Sequence, residues 1–174
     1  YRYLRGVFQY SGGVAALPGF AIERVRFAQP LPLAEGFAAV EAFLAAQRRP
    51  LASVCAFELR SPAPFTEQGF ADFNRHYVQT LERWRVVRDG VNPVARTNVC
   101  PMYEPPPVPS VHAFCHVLPC ADRARRTFVI AGGGEARDGR ASYRESIVRL
   151  GDTSPDGLRD KVRYVVGAME QRMA

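Results

Sequence analysis

The sequence contains no uninterrupted apolar run of about 18 residues, so no segment of it can cross a bilayer as a helix. It is also nearly devoid of lysine. Lys161 is the only one among 23 basic residues, and against 17 acidic residues these leave a formal charge of +6. The excess is dispersed rather than gathered into a basic tract, so the electrostatic footprint of a nucleic-acid surface is missing. The one clustered stretch, Arg123, Arg125 and Arg126, falls in a turn. No C-x-x-C pair occurs: Cys55, Cys100, Cys115 and Cys120 stand apart in or near apolar segments, and buried thiols are expected rather than a disulfide framework. Nor do Cys100, His112, Cys115, His116 and Cys120 form a metal set, because on one strand His112 and His116 share a face while Cys115 takes the other. No metal is expected. No signal-peptide pattern is visible, and a cytoplasmic location is the expectation.

What is present suffices for a hydrophobic core. With 174 residues and 47% hydrophobic content, the length fits one domain, or one domain with an appendage. Leu4 to Tyr10 reads as a strand ending at Ser11-Gly12-Gly13, and Ala21 to Phe27 as a second strand closed by Pro30 and Pro32. Leu33, Phe37, Val40 and Leu44 then recur at helical spacing. Leu51 to Leu59 reads as a central strand. Thr66 is placed to cap a second helix, whose stripe is Phe70, Phe73, Tyr77, Leu81 and Trp84, an aromatic row that packs a core rather than a cofactor. Val94 to Tyr103 and Ser110 to Leu118 read as strands on either side of a stiff proline-rich loop, Glu104 to Pro109.

Beyond Pro119 the pattern restarts. Thr127 to Ala131 and Glu145 to Leu150 read as strands, and a helix opens at Ser154, Pro155 and Asp156 with the stripe Leu158, Val162, Val165 and Met169. Strand, glycine turn, strand, helix thus occurs twice, from Val7 to Gln47 and from Thr127 to Met173, a weak internal repeat. The expectation is an α+β domain over residues 1–119, a mixed sheet with helices on one face, and a C-terminal β-β-α extension over 120–174 packed on the same sheet.

Three segments, taken in order, carry a family resemblance. Phe8-Gln9-Tyr10-Ser11-Gly12-Gly13 resembles the strand ending in Ser-Gly that opens YjgF/RidA domains. Phe73-Asn74-Arg75-His76-Tyr77 is similar to the family's N-x-x-Y helix start, and Pro93-Val94-Ala95-Arg96-Thr97-Asn98-Val99 to its P-A-R-[ST]-x-V strand. The resemblance spans residues 1–119 and implies a chorismate-mutase-like fold, a homotrimer with clefts between subunits, and a small carboxylate metabolite held there by Arg96 without a cofactor.

Physical chemistry supports Arg96 independently. A guanidinium in mid-strand among apolar residues must reach solvent or find an anion, and its planar fork matches a carboxylate. The plain alternative is a salt bridge to an acidic residue of this or a neighbouring chain. From the resemblance, Ser11 and Gly12 contribute hydroxyl and N–H groups, Asn74 orients the site, Asn98 follows the arginine where cysteine is common, and Tyr1 or Tyr3 closes the pocket. One departure matters: where imine-deaminating relatives place a glutamate after the L-P turn, this sequence has His112, which can serve as a general base near neutral pH. Glu104 is a substitute carboxylate.

The leading expectation is hydrolysis of a 2-imino or enamine carboxylic acid, with Arg96 as anchor and His112 handling the proton. A non-catalytic carboxylate-binding module is the alternative. A ribonuclease or translation inhibitor, labels some relatives carry, is disfavoured by the dispersed charge and the lack of an exposed aromatic platform.

Overall fold

A computed structural model describes residues 1–137 and 142–173. The chain divides into two compact units, Tyr1–Ala131 and Gly132–Ala174. Among the described residues no helix is long and apolar enough to cross a membrane.

The first unit is α+β. Its strands are β1 (Arg2–Leu4), β2 (Gly13–Ala15), β3 (Phe20–Pro32), β4 (Val54–Arg60), β5 (Ala95–Val99), β6 (Ser110–Pro119) and β7 (Phe128–Ile130), and its helices are α1 (Leu33–Ala46) and α2 (Glu67–Arg83). A four-stranded mixed sheet runs β3-β6-β4-β5, with β4 and β5 parallel and the other pairs antiparallel.

Helices α1 and α2 cover one face of it. The stripe Leu33, Phe37, Val40 and Leu44 is buried along its whole length, and so are Phe73, Tyr77, Leu81 and Trp84 of the second stripe; Phe70 alone turns outward. They meet Phe57, Leu59, Val111 and Phe114 of the sheet in one core cluster, with Phe37 edge-on to both Phe57 and Trp84. Burying that many large apolar side chains is the main favourable term for the unit, at about 1.5–3 kcal/mol each. Gly36 lets α1 lie directly on β6, since a Cβ there would stand 2.6 Å from Val111 Cγ2. Thr66 caps α2 as expected, its Oγ1 accepting from the Gly69 N–H at 3.1 Å.

The opposite face carries a second sheet that the sequence did not suggest. Strands β1, β2 and β7 form an antiparallel three-stranded sheet in the order β1-β2-β7. Val14, Val129 and Ala131 from this region pack on Cys55, Ala56, Ala95, Cys115 and Val117. Thr127 to Ala131 therefore pairs with β2 (Gly13↔Ile130) rather than opening a C-terminal repeat.

The first expected strand, Leu4 to Tyr10, does not form: β1 covers Arg2–Leu4 and ends where that strand was to begin. Residues 5–10 form a turn closed by the Tyr10 N–H on the Val7 carbonyl at 3.2 Å. Gly6 permits that turn, for a Cβ there would sit 2.4 Å from the Tyr10 carbonyl oxygen.

In the second unit, Glu145 to Leu150 is not a strand. A short helix, α3 (Tyr143–Ser146), begins where Ser142 Oγ accepts from the Glu145 N–H at 3.2 Å. Ser142 and Glu145 stand at the S-x-x-E spacing of a capping box, whose N-cap bond outweighs a run of apolar residues that does not alternate. The internal repeat therefore lacks its second strand.

Helix α4 (Pro155–Met173) opens as anticipated, with Ser154 Oγ accepting from the Gly157 N–H at 3.1 Å. Polar contacts tie it to its own unit: Lys161 Nζ donates to the Val148 carbonyl at 2.8 Å and Tyr164 Oη to the Ala136 carbonyl at 3.1 Å. Of its expected stripe, Leu158 and Val162 are exposed.

Candidate functional site

The parallel pairing of β5 with β4 sets Arg96 opposite Phe57, which belongs to the helix-facing core, so its side chain points under α2. Its neighbour Ala95 packs with the cluster on the other face. Arg96 is only 4% exposed. Its guanidinium carbon lies 5.1 Å from the ring centre of Tyr10, 5.6 Å from that of Phe73 and 4.9 Å from that of Tyr77. Aromatic faces attract a cation but do not satisfy its N–H donors. Nη1 is buried without a hydrogen-bond partner, and among the described residues no carboxylate pairs with Arg96. Burial pushes its pKa down, while Tyr77 and Tyr10 act against that shift.

Helix α2, which lies over Arg96, carries further orphaned groups. Tyr77 is fully buried, and its hydroxyl lacks a partner. Burial raises its phenol far above the usual range, with Arg96 pulling weakly the other way, so the group stays neutral and able to donate. Asn74 precedes Tyr77 by three positions on α2, which puts both on one helix face. It is 1% exposed, and neither Nδ2 nor Oδ1 has a partner. A buried polar group left unsatisfied costs about 1–3 kcal/mol. Four such atoms on Arg96, Tyr77 and Asn74 are a concentrated penalty that a bound polar ligand would relieve.

Loop and strand interactions hold Tyr10 over the guanidinium. The Ser11 N–H donates to the Val94 carbonyl at 2.9 Å, and Asn92 Nδ2 donates to the Gln9 carbonyl at 2.9 Å while its Oδ1 accepts from the Val94 N–H at 3.0 Å. Sequence reasoning passed over Asn92, whose position before Pro93 reads as an ordinary turn.

Ser11 itself is buried beside the site, its hydroxyl 3.4 Å from the Gly13 carbonyl. The Gly12 N–H is engaged by the Leu4 carbonyl at 2.9 Å, so in this arrangement it is not open to a ligand. Asn98 lies two residues beyond Arg96 and donates from Nδ2 to Ser61 Oγ at 2.9 Å. Tyr1 donates its hydroxyl to the Val54 carbonyl at 2.9 Å, and the aromatic residue that reaches Arg96 from the N-terminal segment is Tyr10. Glu104 is exposed in the proline loop.

His112 lies elsewhere. It falls at a bulge where Val111 and Ala113 of β6 oppose the consecutive residues Leu59 and Glu58 of β4. Its charged neighbours are Arg60, Glu58, Arg24 and Arg26; burial and Arg60 lower its pKa, and its Nδ1 has no partner. Glu58 accepts from Arg24 Nη2 at 2.8 Å, and both line an open cleft of ≈ 500 Å³ with Cys115 and Arg126. This is the sheet face opposite Arg96, so within one chain the two do not share a site.

Of the thiols, Cys55 and Cys115 are buried as expected, Cys120 is half-buried and Cys100 is exposed.

Comparison with known proteins adds an independent line. No solved structure matches the chain. A 2-amino-5-chloromuconate deaminase from Comamonas testosteroni is 59% identical over 174 residues, covering 99% of this chain and 69% of that protein. A family model described as 2-aminomuconate deaminase CnbZ matches residues 1–174, and the chain belongs to that family.

Proposed function

We propose that this protein hydrolytically deaminates a small unsaturated 2-amino acid, as its enamine or 2-imino tautomer, releasing ammonia, with the substrate carboxylate held by Arg96. The observation that carries the reading is a buried guanidinium with aromatic rings around it and, among the described residues, no carboxylate to neutralise it. The name of the Comamonas relative supplies a substrate class: a muconate is a doubly unsaturated six-carbon dicarboxylate, and a 2-amino group makes it an enamine acid.

The chemistry needs little beyond placement and a proton path. Protonation of the enamine at carbon gives the 2-imine, water adds to C2, and the carbinolamine expels ammonia to leave the 2-oxo acid; one water is consumed for each ammonia released. Arg96 binds the carboxylate and draws electron density from C2, which favours attack by water. The YjgF/RidA resemblance adds the chorismate-mutase-like fold and the homotrimer to this proposal. In such a trimer, His112 acts as proton carrier for a neighbouring copy's Arg96, since it lies on the wrong face to serve its own.

The test is ammonia release from 2-aminomuconate and from enzymatically generated 2-imino acids, comparing the wild type with Arg96→Ala. A loss of about 100-fold or more in kcat/KM is expected, and equal rates would remove the proposal. The separation of His112 from Arg96 favours one second reading, a binder of carboxylate metabolites without turnover. Thermal stabilisation by the substrate with no ammonia produced would select it.

A further inference from the structure

We infer that Tyr77 and Asn74 are substrate-binding residues that read the amino-carboxylate head, the Tyr77 hydroxyl donating to the carboxylate beside Arg96 Nη1 and Asn74 Oδ1 accepting from the 2-amino N–H. The inference rests on the proposed function and specifies how that site selects its substrate. Tyr77 packs as a phenylalanine would, its ring lying 5.9 Å from Phe57 and 6.1 Å from Phe37, centre to centre. Its hydroxyl contributes nothing to that packing and has no protein partner although the residue is fully buried. A phenylalanine would give the same core without the desolvation penalty, so the oxygen needs another explanation, and the Arg96 guanidinium carbon stands 4.9 Å from the centre of its ring.

The orphaned atoms also form a specific complement. Arg96 Nη1, Tyr77 Oη and Asn74 Nδ2 are donors, and Asn74 Oδ1 is an acceptor. A bare carboxylate answers the donors but leaves Oδ1 empty. A carboxylate with an N–H on the adjacent carbon answers all of them, and the rings of Tyr10 and Phe73 around the guanidinium suit a planar conjugated body. The site therefore distinguishes a 2-amino unsaturated acid from its amino-free counterpart, because the counterpart leaves a buried carbonyl unpaired.

Pyrrole-2-carboxylate and furan-2-carboxylate are matched probes, planar and nearly isosteric, differing in the N–H next to the carboxylate-bearing carbon. Titration calorimetry on the full chain should give about tenfold or greater preference for the pyrrole acid. Asn74→Leu should erase that preference, and Tyr77→Phe should weaken both acids by about tenfold while Tm stays level or rises. Equal affinities in the wild type, or a Tyr77→Phe protein that loses Tm and keeps both affinities, would overturn the inference. Arg96→Ala separates the two claims. If it abolishes binding of both acids while the preference is absent, only the reading of Tyr77 and Asn74 falls; if both acids bind it as they bind the wild type, or bind neither protein, the carboxylate site falls with it.

Discussion

Replacing Arg96 by methionine sets stability against function, and the structure predicts opposite outcomes for the two. Methionine has similar reach and no charge. At 4% exposure the guanidinium forgoes most of its hydration, and among the described residues no carboxylate compensates for it. Substituting apolar groups for buried ionic ones is commonly neutral or stabilising by about 1–4 kcal/mol. Against this stand the contacts with Tyr10, Phe73 and Tyr77, at about 0.5–2 kcal/mol each. The two contributions are of similar size and opposite sign, so Arg96→Met should change stability by no more than about 2 kcal/mol, or roughly 4–8 °C in Tm for a protein of this length. A buried pair broken by removing one partner behaves differently and loses about 3–5 kcal/mol. Ligand binding should respond in the opposite sense. A saturating carboxylate at about 100 times its Kd raises wild-type stability by ~2.7 kcal/mol, whereas the methionine variant should show no shift and a kcat/KM lower by about two to four orders of magnitude. Thermal melts with and without ligand, run beside the ammonia assay, read both quantities. A collapse of Tm by well over 10 °C, or a ligand-induced shift that survives the substitution, would refute the claim that the cation awaits a ligand.

Thr66→Ala removes the cap of the helix that carries Asn74 and Tyr77 and should cost about 1 kcal/mol in urea denaturation, while Thr66→Ser should cost little. The Glu58 carboxyl is held below its ordinary value first by the hydrogen bond from Arg24, with burial acting against this. Its contribution is therefore fully present above pH ~4.3 and is lost as pH falls through the lower folded value; Glu58→Gln should lower the neutral plateau by that contribution and so flatten the acid limb of the stability profile. With a thiol reagent at pH 8, exposed Cys100 should react at once. Cys115, pushed up to about 11 by burial, and Cys55, pushed higher still, should stay silent until denaturant is added.

Helical periodicity was legible because burial repeats it: every member of the α1 stripe lies in the core, and only Phe70 of the α2 stripe does not. The three-stranded sheet was not legible, since its strands have three residues each, too few to show alternation, and Gly13 meets Ile130 across most of the first unit. Pairing at that separation has no local signature, because the closing of a long loop is decided by the packing it permits. Helix α4 marks a different limit. Its stripe has the right period and the helix forms, yet Leu158 and Val162 remain exposed. Periodicity states that a helix has an apolar side, not that anything covers it.

The site divides along the same line. As a candidate, Arg96 was legible because a guanidinium at an apolar strand position is a local contradiction, visible without coordinates. Tyr77 could not, since a sequence records that a tyrosine lies in a core stripe and is silent on whether its hydroxyl has a partner. The expectation that His112 shares a face with His116 failed by counting. Strict alternation puts residues 112, 114 and 116 on one face, and Phe114 and His116 do share the helix-side face, with Phe43 against both rings. The bulge inserts His112 between the partners of Glu58 and Leu59, and one extra residue reverses the parity of everything before it. The imidazole consequently joins Arg24, Glu58 and Arg60 on the far side of the sheet. A strand face assigned from period two is thus only as secure as the regularity of the strand. In this chain the irregular step falls between His112 and Phe114, where it decides which side of the sheet the histidine can serve.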